Sequence, residues 1–100
     1  MKVLSILTVA CGLMTASFAY ASVDADAAQA LMKKSDCMNC HAVDKQKLGP
    51  AFNAVAKKYT GKADAEAILV KQLTVNPAHK HFASKDPAEI KNAVQWILSQ

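Results

Sequence analysis

Two cysteines and a histidine fall within five residues, Cys37-Met38-Asn39-Cys40-His41, in a chain with little else around which to organise a core. Of its 100 residues 52% are apolar, but many of these are alanines and only 6% are aromatic. A domain this small buries a modest share of its surface and usually needs a staple, whether disulfides, a metal, a partner or a bound prosthetic group. Three glycines and three prolines exclude both a disordered linker and a protein of strands and tight turns. The question is therefore what completes the core.

C-x-x-C-H is the attachment pattern of c-type haem. Two thiols on one tight turn bond the two vinyl-derived carbons on one edge of the porphyrin, and the next residue, His41, is carried under the iron as proximal ligand. Three other readings compete. A thioredoxin-like redox pair needs a βαβ context, for which the chain is too short and too helical. A Cys37–Cys40 disulfide would close so small a loop that it adds little stability. Zinc bound by Cys37, Cys40, His79 and His81 is consistent with a count of ligands. Export, size, thin core and motif together favour a single covalent haem c.

Export is read from the first 21 residues. Met1-Lys2 is followed by an apolar run over residues 3–14, too short to span a bilayer, and by the A-x-A pattern Ala19-Tyr20-Ala21. The expectation is a cleaved signal peptide over 1–21 and one soluble periplasmic domain over 22–100, with no stable membrane insertion. A lipid-anchored Cys11 is the weaker reading, because the preceding Thr8-Val9-Ala10 lacks the expected leucine and a better cleavage site lies downstream. The domain retains 11 lysines against eight acids and no arginine. Lysines scattered singly or in pairs do not form a nucleic-acid face, but a weak positive field suits docking to acidic partners.

The domain reads as all-α, four short helices joined by loops. The first runs over 24–34 behind two acids, with Ala27, Ala30, Leu31 and Lys34 on one face. A second follows Gly49-Pro50, with Phe52, Val55, Ala56 and Tyr59 at helical spacing and Gly61 as its stop. A third spans 64–73 with Asp64 as N-cap, and Pro77 prevents its extension. The last has the clearest start: Asp86 as cap, Pro87 in the first turn and Glu89 in the capping-box position.

The run LMKKSDCMNCHAVDKQKLGPAFNAVAKKYTG and the final VQWILSQ resemble the small bacterial class I cytochromes c, the c-551/c-552 group above all. The resemblance covers about two thirds of the domain. It implies the class I cytochrome c fold, four short helices around one covalent haem, and an electron carrier rather than an enzyme. It also implies that Gly49 and Pro50 sit against His41, with the proline's carbonyl neighbourhood holding the imidazole, and that Met32 and Trp96 lie near the crossing of the first and last helices. Asp36 stands where the family usually has glycine, a mild departure because aspartate tolerates the left-handed backbone.

One family feature is missing. The sixth iron ligand is normally a methionine from the loop before the last helix, yet the four methionines here are Met1, Met14, Met32 and Met38. The loop over 74–85 offers His79 and His81 instead. Counting back from Trp96 puts the ligand position near Lys80, with His81 preferred, Phe82 then covering the haem edge, and His79 as the alternative. A second imidazole favours ferric iron and lowers the potential. The sequence thus points to a periplasmic one-electron carrier between redox partner proteins, His/His ligated and of low potential. An open or labile sixth position would instead suit a small-ligand (gas) binder, and a module of this size also suits a haem subunit of a larger oxidoreductase.

Overall fold

The computed structural model describes residues 23–100 together with Gly12, so the expected signal segment and its cleavage site lie outside the described residues. Helix α1, Ala25–Lys34, begins where the Asp24 carboxylate accepts from the Ala27 N–H at 3.0 Å. Its buried face is Ala28 and Met32, not the stripe of Ala27 and Ala30 read from the sequence. The cause is Asn92, which accepts from the Asp24 N–H and donates to the Asp24 carbonyl, both at 2.9 Å. That two-point grip sets the rotation of α1.

Helix α2, Phe52–Lys58, starts without a side-chain cap. The Phe52 and Asn53 N–H groups donate instead to the carbonyls of Ala42 and Val43, at 2.9 and 3.0 Å. Donors that a helix start leaves unpaired are thus spent on pinning the loop that follows His41. Gly61, at φ +76°, takes the left-handed backbone beyond the end of this helix.

Helix α3, Ala65–Val75, extends two residues past the expected end at Leu73, and the Asp64 side chain does not cap it. Asn76 is extended, as the residue before a proline prefers, and opens a 3₁₀ turn over Pro77–His79. Thr74 and Val75 therefore belong to a helix, which shortens the loop read as 74–85. Helix α4, Pro87–Leu98, starts as expected, with Asp86 accepting from the Ala88 N–H at 2.9 Å. Glu89 does not close a capping box directly. Its carboxylate takes the Ser84 hydroxyl, and the same hydroxyl accepts from the Asp86 N–H.

The four helices and two 3₁₀ turns, without a strand among the described residues, match the all-α arrangement of four short helices expected from the sequence. Helix α4 is its hub: Ile90, Ala93, Val94, Trp96 and Ile97 are buried, and α1, α2 and α3 each pack on it. The backbones of α1, α2 and α3 approach that of α4 but not one another. Phe52 meets Trp96 edge-on at 5.9 Å, a geometry that adds about 0.5–1.5 kcal/mol beyond area burial. Met32 joins these two rings in the core, as its expected place near the helix crossing requires. Three helices whose backbones approach a fourth but not one another leave a crevice between them.

Candidate haem crevice

The cysteine motif forms a 3₁₀ turn over Cys37–Asn39, entered through Asp36 at φ +55°. The Cys37 carbonyl accepts from the N–H groups of Cys40 and His41, at 3.2 and 3.0 Å, so the turn carries both thiols and the imidazole in a fixed order. Asp36 is the only non-glycine residue at positive φ among the described residues. Asp36→Ala should cost roughly 1 kcal/mol in chemical denaturation while Asp36→Gly stays within that margin, because alanine alone has both a Cβ and no short polar group to support the left-handed backbone. Cys37 is half-buried, and burial raises its thiol above the ordinary value, with Asp36 and Cys40 adding to the rise and its backbone hydrogen bond opposing it.

His41 is held from the far end of the next loop. Its Nδ1 meets the Pro50 carbonyl at 2.7 Å, and its ring lies 5.0 Å from that of Phe52 at an interplanar angle of 19°. The loop returns because the Gly49 N–H donates to the Cys40 carbonyl at 2.7 Å and Lys47 Nζ donates to the Met38 carbonyl at 2.8 Å. Gly49 passes so close to His41 that a Cβ there would lie 2.7 Å from both ring nitrogens and closer still to Cε1.

Across the crevice stands His79. Its ring centre is 6.3 Å from that of His41, the planes are within 20° of parallel, and its Nδ1 meets the Gln72 carbonyl at 2.9 Å. Of the two loop histidines, the structure thus brings His79, the alternative to the preferred His81, within 6.3 Å of His41. Counting back from Trp96 assumed a loop hung from α4, whereas the turn that carries His79 grows directly out of α3. His81 is exposed but lines the same crevice, as does Phe82. Beyond this turn, the Ala83 N–H donates to Ser35 Oγ at 2.9 Å, tying the returning chain to the end of α1.

The crevice is two cavities of about 480 and 500 Å³, both bounded by His41, Phe52, His79 and Ile97. One carries Cys37, Cys40 and Leu48, the other Val55, Lys58 and Tyr59. A family model for cytochrome c matches residues 25–100. The chain belongs to the cytochrome c family.

Among its relatives, cytochrome c-551 of Pseudomonas aeruginosa is 34% identical over 80 residues, covering 72% of this chain and 75% of that protein. Cytochrome c-552 of Hydrogenobacter thermophilus is 37% identical over 75 residues, 69% of this chain and 76% of its own. The crystal structure of the class 1 cytochrome MtoD from Sideroxydans lithotrophicus ES-1 superposes with a TM-score of 0.72 at 43% identity, covering 78% of this chain and 97% of that one. Cytochromes c of this group are monohaem electron carriers that exchange electrons with partner proteins, and the haem c is covalently attached.

The residues present fit that group. Thiols sit at one side of a largely apolar crevice, two near-parallel imidazoles lie 6.3 Å apart in it, and each has its Nδ1 engaged by a main-chain carbonyl with Nε2 left over. Ring centres 6.3 Å apart leave room for one metal ion between the two imidazoles. The zinc reading fares worse, since no cluster of three or more metal-ligating side chains occurs among the described residues. Gln72 and Asn76, which hold the His79 turn, were missed from sequence; the signal was an Asn-Pro pair at the mouth of the loop.

Proposed function

We propose that this cytochrome c is a one-electron carrier of the periplasm whose haem iron is held between His41 and His79, giving it a low potential. The observation that carries this reading is the opposed pair of near-parallel imidazoles, each oriented by a main-chain carbonyl. Cys37 and Cys40 make the thioether bonds, and the haem supplies the Fe(III)/Fe(II) couple that stores the electron.

The protein's own residues do the rest. The Pro50 and Gln72 carbonyls accept from Nδ1–H of His41 and His79, which fixes the tautomer and leaves Nε2 for the metal. Two imidazoles would favour the ferric state over what a thioether would give. Phe52, Trp96, Met32 and Ile97 exclude water from behind the crevice. Leu48, 87% exposed, lines the cysteine half of the crevice and offers an apolar edge suited to brief contact with a partner surface. The leader directs export, and among the described residues no helix is long and apolar enough to cross a membrane.

Substitution separates the two candidate ligands. His79→Ala should convert a low-spin ferric absorption and paramagnetic-resonance spectrum to high-spin, and should open the ferrous protein to rapid carbon monoxide binding. His81→Ala should leave both as they were. The reverse result would move the ligand two residues along the chain, and a parent protein already high-spin would end the two-imidazole reading.

A further inference from the structure

The densest set of hydrogen bonds around the crevice lies at the joint where α3 passes into the turn bearing His79. Asn76 occupies that joint. Its Oδ1 accepts from the Ala78 N–H at 3.0 Å, its Nδ2 donates to Gln72 Oε1 at 2.8 Å, and its own carbonyl accepts from the His79 N–H at 2.9 Å. The Gln72 carbonyl, one helical turn back, meets His79 Nδ1 at 2.9 Å. Gln72, Asn76 and His79 thus close a ring of bonds in which every link runs between the end of α3 and the turn.

His81 stands outside this ring. It is exposed, its side chain makes no hydrogen bond among the described residues, and yet it lines the same crevice as His41. The chain therefore carries two imidazoles for one position, and only one of them is latched. We infer that Asn76 is a positioning residue that selects His79 over His81 as the imidazole presented to His41. This rests on the His41/His79 reading above and deepens it. A three-residue turn has little cooperativity of its own, so its register depends on the side chain that caps it. Without the Asn76 amide the turn is free to slip, and the equilibrium between the two histidines is set by reach alone.

The test uses the haem-loaded protein and ferric spin state as readout. His79→Ala keeps the latch, so His81 stays out of reach and the iron is expected to be high-spin. Adding Asn76→Leu to His79→Ala releases the turn, and low-spin iron should return as His81 takes the vacated place. Adding His81→Ala as a third change should abolish that rescue. With both histidines present, Asn76→Leu and Gln72→Leu should each bind carbon monoxide in the ferrous state about tenfold faster than the parent, the scale of one lost hydrogen bond.

If His79→Ala alone stays low-spin but turns high-spin on adding His81→Ala, His81 enters with the latch intact and the selection argument fails; if it stays low-spin with both histidines removed, the ligand reading fails as well. If His79→Ala is high-spin and the addition of Asn76→Leu does not restore low-spin iron, the selection argument alone is overturned. Should Asn76→Leu not fold, Asn76→Ala removes both the acceptor for the Ala78 N–H and the donor to Gln72 without added bulk, and carries the same arms.

Discussion

Gly49→Ala is expected to give a protein that incorporates little haem and unfolds far below the parent. The added methyl would meet the His41 ring at 2.7 Å from both nitrogens, and neither side has room to yield. Gly49 is fixed by its N–H bond to the Cys40 carbonyl at 2.7 Å, and His41 by its bond to the Pro50 carbonyl at 2.7 Å. Relief requires breaking one of these or rotating the imidazole out of line with the crevice. Overpacking of a tight site costs about 1–3 kcal/mol and sometimes more, and misaligning a metal ligand adds to it. Haem content by the pyridine haemochrome assay and thermal unfolding read the two effects separately. A variant with parental haem content and melting temperature would show that the loop can retreat from His41.

The second large effect is expected from Cys37→Ala combined with Cys40→Ala. Haem should then be lost on a denaturing gel, and the folded fraction should follow the concentration of added haem. The backbones of α1, α2 and α3 do not approach one another, so a prosthetic group that binds the native state alone stabilises it by mass action. Attachment makes that supply intramolecular and independent of concentration. A haem-free double variant with native helix content and a cooperative melt would mean that packing on α4 suffices without it.

How far these features could be read in advance differs from one element to the next. The cysteine turn and the start of α4 were legible because each depends on a few adjacent residues with special chemistry, whereas the Gly49-Pro50 approach to His41 was implied by the family resemblance. The rotation of α1 was not, since it is set by Asn92, 68 positions from its partner Asp24. The length of α3 was misread because Asp64 looked like a cap and Pro77 like a general stop, while the helix runs on to the last residue that Asn76 permits. The preference for His81 had a different source, the count back from Trp96 with Phe82 then covering the haem edge. Register in a short loop belongs to whichever end is better anchored, and the Gln72–Asn76 hydrogen bond that anchors it is made between side chains whose identities carry no strong signal.

Both imidazoles of the crevice are steadied by main-chain oxygens, that of Pro50 on one side and that of Gln72 on the other. An oxygen of the backbone is present whatever residue occupies the position and holds no ionisable group of its own. Mutational drift at these two sites can therefore alter the flanking contacts without deleting either acceptor, and protonation of a carboxylate cannot switch them off. The acceptors that orient the two rings are thus placed beyond the reach of side-chain titration, while the turn that carries His79 still depends on the Asn76 side chain.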